Sequence, residues 1–158
     1  MTATMRHQHA KAAVLALIAT AGAAATLGLA APAYADSYYY FQSPSGNIAC
    51  EMIGADDGTA SAVCKLKDHT WAAPTAAGGD CEYAGDNLKL VQDHEPCLGV
   101  WPSQIFLLQD NGGLQTLSYG QSHTVGTITC GTAPSGVTCT DTGTGHFFRV
   151  STDSYDLG

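Results

Sequence analysis

Six cysteines, at positions 50, 64, 81, 97, 130 and 139, constrain what this chain can fold into more than any other feature. Turn-forming residues lie between neighbouring cysteines, as in "GADDGT" at 54–59 and "GTAPSG" at 131–136. In an exported protein an even cysteine count indicates disulfides, and six cysteines allow fifteen pairings. Because the enclosed loops are short, the simplest pairing joins neighbours: Cys50 with Cys64, Cys81 with Cys97, and Cys130 with Cys139.

Residues 1–35 have the three parts of a secretory signal peptide. Arg6 and Lys11 give a positive start, 12–31 is an uncharged run rich in alanine and leucine, and "AYA" at 33–35 offers small residues for cleavage. An uncleaved membrane anchor is the alternative, but the run is only weakly hydrophobic. We therefore expect residues 36–158 to form one exported domain, secreted or associated with the cell envelope, with no membrane span after cleavage.

The charge of the exported part argues against nucleic acid as a partner. Without Arg6 and Lys11, four basic residues face fourteen acidic ones, a formal net charge of −10 with neutral histidines. Affinity for nucleic acid comes mainly from neutralising phosphates, which an acidic surface repels. The same argument disfavours anionic lipid.

Alternation with a period of two predicts an all-β fold. Ile48, Cys50 and Met52 share one face of a strand, and Cys64 holds the corresponding position in the next. No stretch sustains a helical apolar period over three turns. The prediction is a small antiparallel barrel or sandwich with three hairpin disulfides.

Further strands are expected where alternation or high β-propensity recurs. These are residues 37–41, 104–108, 114–118 and 147–151, together with a third hairpin between Cys81 and Cys97. The pattern Ile-x-Cys, turn, Cys occurs twice, and each copy runs on to a histidine beside aromatic residues. This favours a weak internal duplication.

Two Pro-Ser-Gly segments raise the possibility of a serine nucleophile. Ser45 lies in "SPSGNIAC" and Ser135 in "APSGVTC". Neither stands in the Gly-x-Ser-x-Gly pattern that presents a nucleophile between strand and helix. Proline followed by glycine is explained by turn geometry alone, so we interpret both segments as turns rather than catalytic residues.

The histidines give no metal-binding pattern. His69, His94, His123 and His146 are not spaced as a local zinc site requires, so no metal or cofactor is predicted. His146 lies between the glycine-rich "TGTG" and two phenylalanines. A small secreted hydrolase or metal-dependent enzyme centred on His146 is therefore the alternative from the enzyme class.

Trp71, Trp101 and the tyrosines at 38–40 are candidate stacking platforms for a sugar or peptide, although core packing is the common role of tryptophan. Trp71, Trp101 and His146 are the candidate ligand-binding residues. The leading hypothesis is a non-catalytic binding module with an aromatic β face, its partner an envelope glycan or protein. A secreted protease inhibitor, with "GADDGTAS" or "CGTAPSGVTC" as its rigid loop, is a further alternative.

Several segments spread over the exported part resemble one known family. They include "FQSPSGNIAC" at 41–50, "VGTITC" at 125–130 and "GVTCTDTGTGHFFRVSTDSYDL" at 136–157. On these segments the chain resembles a family of secreted actinobacterial proteins of unknown function, many of them mycobacterial. Phe147 stands where that family usually has glycine. The resemblance implies export and disulfides and adds no catalytic residue.

Overall fold

The computed structural model describes residues 36–103 and 105–158, so the predicted signal peptide lies outside the described residues. Six strands form the first sheet, in the order β5-β4-β3-β2-β1-β6. Their bounds are β1 Ser37–Gln42, β2 Ile48–Gly54, β3 Ala60–Leu66, β4 Asn87–Val91, β5 Cys97–Gly99 and β6 Gln115–Thr116.

Five strands form the second sheet, in the order β11-β10-β9-β8-β7. Their bounds are β7 Ser122–Val125, β8 Ile128–Ala133, β9 Gly136–Asp141, β10 Phe147–Val150 and β11 Tyr155–Leu157. Strands β8 and β9 alternate strictly between buried and less buried residues, as expected for a sheet with one face in the core. Every strand pair of this sheet is antiparallel.

The two sheets pack face to face around one core, which confirms the all-β prediction and selects the sandwich. Strands β3 and β4 contact β8 and β9 across the interior. Phe41, Met52, Leu90, Ile128 and Phe148 belong to the shared cluster and are almost fully buried. Burial of large side chains from both sheets is what holds the layers together.

The three disulfides join the predicted neighbours: Cys50–Cys64, Cys81–Cys97 and Cys130–Cys139. The first and third connect residues directly opposite each other in the β2–β3 and β8–β9 hairpins. All four of these cysteines are fully buried in the shared core. Each sheet therefore contains one hairpin with a buried cross-strand disulfide.

The disulfide between Cys81 and Cys97 is built differently from the expected hairpin staple. The predicted hairpin exists as β4 and β5, but Cys81 precedes it in an irregular segment and only Cys97 lies on a strand. This disulfide ties the connector after β3 to the edge strand β5, outside the core cluster. This disulfide therefore stabilises the structure only locally, because it holds a surface segment in place rather than joining two paired strands.

The strand predicted at 104–108 is wrong. Helix α1 spans Ile105–Asp110, and residue 104 lies outside the described residues. The Ile105 amide donates to the Ser103 hydroxyl at 3.2 Å, and the Gly113 amide donates to the Leu108 carbonyl at 2.7 Å. Gly112, with φ of 70°, supplies the left-handed residue that ends a helix. Capping at both ends overrides the weak strand pattern.

Helix α1 covers the outer face of β2. Ile105 and Leu114 pack against Ala49 in a second buried cluster, and the Ser103 hydroxyl donates to the buried Glu51 carboxylate at 2.7 Å. Both faces of β2 are therefore buried, although its alternation predicts one core face. Across residues 36–103 and 105–158, no helix has the length and apolar character that a bilayer crossing requires.

The strand expected at 114–118 is present as the two-residue β6, and it pairs parallel with β1. It is the one parallel pair among the described strands of the first sheet. A parallel partner is possible because α1 and its flanking loops carry the chain back along the sheet. The segments 37–41 and 147–151 form β1 and β10 with small differences at their ends.

Candidate binding site

The three predicted ligand-binding residues lie in three different places. Trp101 lines a cleft of about 510 Å³. His146 lines a separate cleft of about 360 Å³ that also contains Glu95. Trp71 packs against the edge of the core. They do not form one site, and only Trp101 lies among other exposed aromatic and acidic side chains.

The Trp101 cleft is formed where the connector after β3 lies against the end of β5. The Cys81–Cys97 disulfide holds the two segments together, and the Val100 amide donates to the Tyr83 carbonyl at 3.3 Å. Gly99 allows the close approach, since a Cβ atom there would lie 2.8 Å from the Cys81 sulfur. The cleft is lined by Asp80, Cys81, Glu82, Tyr83, Lys89, Val100, Trp101 and Pro102.

Large apolar groups are exposed around this cleft. The exposed fractions of Tyr83 and Val100 are 63% and 61%, high values for such side chains, and Trp101 is half-buried. The Lys89 ammonium, which comes from β4, lies 4.3 Å from the centroid of the Trp101 ring. A cation over an indole face is stabilising, so Lys89 fixes the ring's position.

Carboxylates border the aromatic groups. Asp80 and Glu82 both line the cleft, and with Lys89 as its one cation the cleft is net acidic. The Asp80 carboxylate contacts Nδ1 of His94 at 2.5 Å, and both side chains are about half exposed. This contact orients the Asp80 carboxylate, while among the described residues Glu82 has no side-chain partner.

Aromatic rings beside carboxylates suit ligands with both an apolar face and hydroxyl or amine donors. A sugar ring can stack its C–H face on an indole while its hydroxyls donate to carboxylates. The volume of about 510 Å³ lies within the range typical of small-molecule sites. The cleft can therefore take one or two sugar rings or a short peptide segment.

Comparisons with protein-family models, with curated proteins and with solved structures return no match. The family resemblance therefore stays a prediction.

Trp71 has a structural environment. Its indole N–H donates to the Ser151 carbonyl at 3.1 Å, His69 stacks on it at a centroid distance of 3.7 Å, and Tyr155 packs edge-on at 4.9 Å. One face of the indole and its N–H are thus occupied, and Tyr155 packs beside the ring. Trp71 connects the segment after β3 to the second sheet and offers little free surface for stacking.

His146 is half-buried beside Glu95, Pro96, Leu157 and the C-terminal glycine. Within the described part of the chain, its ring makes no hydrogen bond or ion pair with another side chain. A histidine that acts as a general base is normally oriented by a further group. The His69 ring, by contrast, lies 3.7 Å from the Asp86 carboxylate and donates from Nδ1 to the Trp71 carbonyl at 2.8 Å.

The tyrosines of β1 divide between the two faces of the strand. Tyr39 packs against the core and stacks on His123 at 3.4 Å. Tyr38 and Tyr40 point outward and stack on each other at 6.2 Å, but Tyr40 packs against the α1 cluster. The nearby Asp36 carboxylate raises the pKa of Tyr38. Tyr38 is therefore a single exposed ring rather than a platform.

Both Pro-Ser-Gly segments are turns, as predicted. The Gly46 amide donates to the Ser43 carbonyl at 2.9 Å, and Pro134-Ser135 forms the two-residue loop of the β8–β9 hairpin. The Ser45 hydroxyl is hydrogen-bonded to the Ser43 hydroxyl at 2.9 Å. Among the described residues, no group of three or more His, Cys, Asp or Glu is placed to hold a metal ion.

The sequence analysis missed Tyr83 and Val100 as partners of Trp101. A signal was available: Tyr83 lies two residues after Cys81, and Trp101 lies four after Cys97. Pairing these cysteines brings the two aromatic residues to the same place.

Proposed function

We propose that this protein is a non-catalytic binding module of the cell envelope or its surroundings, and that the Trp101 cleft binds a glycan. The observation that carries the proposal is the cleft itself, in which Trp101, Tyr83 and Val100 stand beside Asp80 and Glu82. Exposing such apolar groups together is costly without a ligand, and grouped exposure of this kind is typical of recognition surfaces.

The charge of the cleft narrows the class of glycan. Two carboxylates against one lysine, on a domain with a net charge of −10, repel phosphorylated or carboxylated polymers. Neutral sugars and amine-bearing sugars are favoured, because both supply donors to Asp80 and Glu82. The proposed ligand is a neutral or amino-sugar segment of an envelope polysaccharide.

Three disulfides are compatible with an extracytoplasmic protein. Secretion through the predicted signal peptide belongs to the proposal, and it would place the cleft where envelope polysaccharides are accessible.

The test is retention of the oxidised protein on insoluble glycans, with purified peptidoglycan sacculi, chitin and cellulose as probes. We expect retention on at least one of them and a loss of about tenfold in affinity for Trp101→Ala and for Tyr83→Ala, since each removes a stacking surface. Tyr38→Ala is the control, because Tyr38 is also an exposed ring and does not line the cleft.

Tryptophan fluorescence gives a second measurement. The chain has two tryptophans, so a Trp71→Phe variant reports on Trp101 alone. Its emission is expected to change when the retained glycan is added as soluble oligosaccharides. Equal retention of wild type, Trp101→Ala and Tyr83→Ala, or no retention on any of the three glycans, would contradict the proposal.

A further inference from the structure

The two Pro-Ser-Gly turns, ninety residues apart in the sequence, form walls of one cleft. The cleft has a volume of about 420 Å³, and the turn between β10 and β11 closes its third side. Ser45 comes from the first turn, Ser135 from the second, and Thr152 and Asp153 from the third. This cleft shares no lining residue with the Trp101 cleft.

The first wall of the cleft is the turn that contains Ser45. It is rigid because Ser43 is buried and its hydroxyl and backbone groups are hydrogen-bonded. Its hydroxyl accepts from the Ile48 amide at 3.2 Å and pairs with the Ser45 hydroxyl at 2.9 Å. The backbone of Ser43 closes the turn by pairing with Gly46 and Ile48. Ser45 is therefore held in one position at the cleft surface.

Hydrogen bonds hold the third wall of the cleft against the first wall and against the segment after β3. The Asn47 side chain donates to the Thr152 hydroxyl at 3.0 Å, and the Thr70 amide donates to the Thr152 carbonyl at 2.8 Å. The Trp71 indole donates to the Ser151 carbonyl at 3.1 Å. These contacts connect the two sheets at the cleft, so the site is formed before any ligand arrives.

The second wall depends on one glycine. Gly136 has φ of 128°, and a Cβ atom there would lie 2.0 Å from the Val150 carbonyl oxygen. Only glycine allows the Pro134-Ser135 turn to lie so close to the end of β10. The close approach brings Ser135 next to the Thr152 and Asp153 wall.

Three polar groups at this cleft have no hydrogen-bond partner among the described residues: the Ser135 hydroxyl, the Tyr119 hydroxyl and the Asp153 carboxylate. Tyr119 is 45% exposed. The Asp153 amide donates to the Ser151 hydroxyl at 3.2 Å, which positions Asp153 while its carboxylate stays free. The cleft thus presents unpaired hydroxyl and carboxylate groups beside an aromatic ring.

We propose that this cleft is a second saccharide-binding site, specific for a neutral sugar. Hydroxyls donate and accept at once, so a wall of serine and threonine hydroxyls matches a ligand made of hydroxyls. Asp153 accepts from sugar hydroxyls and repels phosphate or carboxylate, and Tyr119 offers a ring for stacking. The site does not depend on the Trp101 cleft, and two sites on one small domain would hold a polysaccharide at two points.

The experiment is an amide-resolved NMR titration of the oxidised protein with methyl glycosides of glucose, galactose, mannose and arabinose, and with glucose 6-phosphate. We expect at least one neutral glycoside to shift the amides of Ser135, Thr152 and Asp153 at millimolar concentrations, and the phosphate ester to bind more weakly. Asp153→Asn and Ser135→Ala are each expected to weaken this binding about tenfold.

Asp156→Asn is the control, since Asp156 is also an exposed carboxylate and does not line the cleft. No shift with any neutral glycoside, tighter binding of the phosphate ester, or wild-type affinity in Asp153→Asn would overturn the proposal. The Trp101→Ala variant distinguishes the two sites. In this variant the glycoside should still shift the amides of Ser135, Thr152 and Asp153. If those shifts are lost, the sugar binds in the Trp101 cleft, and only the proposal of a second site is overturned.

Discussion

Asp141, at the end of β9, is a fully buried carboxylate that connects the two sheets. Its Oδ2 accepts from the Asp93 amide at 2.8 Å, and its Oδ1 accepts from the Gly143 amide at 3.0 Å. Burial by itself raises the pKa of Asp141. The amides of Asp93 and Gly143 and the Thr144 hydroxyl more than offset this, so the pKa lies below its ordinary value of 3.8.

Asp141→Asn is expected to lower the free energy of unfolding at pH 7 by about 2 kcal/mol, because the charged acceptor is lost and one oxygen is replaced by a donor. A carboxylate with a lowered folded-state pKa stabilises the fold above its unfolded pKa and loses that effect as the pH falls through the folded value. Urea unfolding at pH 7 and pH 3 should show a smaller difference between wild type and variant at pH 3. An equal difference in the free energy of unfolding at pH 7 and at pH 3 would contradict this role of the Asp141 carboxylate.

Two glycines in the Pro-Ser-Gly turns make a matched pair. Gly136→Ala is expected to cost more than about 3 kcal/mol, since the added Cβ would meet the Val150 carbonyl oxygen. Gly46→Ala should cost only about 1 kcal/mol, because its φ of 71° is strained but nothing lies within 4 Å of the added Cβ. Thermal unfolding measures both. Similar losses of stability in the two variants would show that backbone strain, and not the close approach of Gly136 to Val150, determines the cost.

Among the secondary-structure elements, strict alternation of residues with a period of two predicted the strands. The short sequence distances between neighbouring cysteines predicted the disulfide pairing. Cys50 and Cys64 occupy core positions of neighbouring strands, so both the hairpin and its disulfide followed from local pattern. Helix α1 was missed because six residues are too few to show a helical period. The caps at Ser103 and Gly112 were the available signal.

The candidate sites were less predictable than the strands. Trp101 was named from residue type alone, whereas its partner Tyr83 is brought to it by the Cys81–Cys97 disulfide and by glycines that allow close approach. The meeting of Ser45 and Ser135 depends on how two sheets stack, which no local pattern contains. Weak internal duplication stays a prediction, although each sheet has its own disulfide hairpin.

The disulfides should differ in resistance to reduction. Cys81 is partly exposed, whereas Cys50, Cys64, Cys130 and Cys139 are fully buried in the core. Mild reductant followed by alkylation and peptide mapping should label Cys81 and Cys97 first, with the fold retained. Glycan retention should fall in that species, because the connector that carries Tyr83 is released. If Cys130 and Cys139 are labelled first, the Cys81–Cys97 disulfide is not the most easily reduced one, and the prediction is wrong.

At the scale of the whole molecule, a small acidic sandwich is held by one shared core and braced by three disulfides. In the chain-entropy description, loops of this size contribute about 3 kcal/mol per disulfide. That is a large share of the roughly 5 to 15 kcal/mol by which domains are stable. The three disulfides therefore supply a large part of the stability of this sandwich.

Residues 36–158 carry a formal net charge of −10 with neutral histidines, and this charge leads to a prediction about salt. Binding of a neutral sugar involves no release of counterions, so raising sodium chloride from about 0.05 M to about 0.5 M should change the affinity less than about twofold. The protein should also pass through a heparin column, since like charges repel. A tenfold loss of glycan affinity with salt would exclude a neutral sugar and indicate a charged ligand, such as the amine-bearing sugar.

Glycan binding at Trp101 is tested most directly by amide-resolved NMR mapping of the oxidised protein with soluble fragments of the glycan that retains it. We expect the largest shifts at Tyr83, Lys89, Val100 and Trp101, around the cleft held by the Cys81–Cys97 disulfide. Shifts centred on Tyr38 and β1, with the Trp101 cleft unchanged, would contradict it.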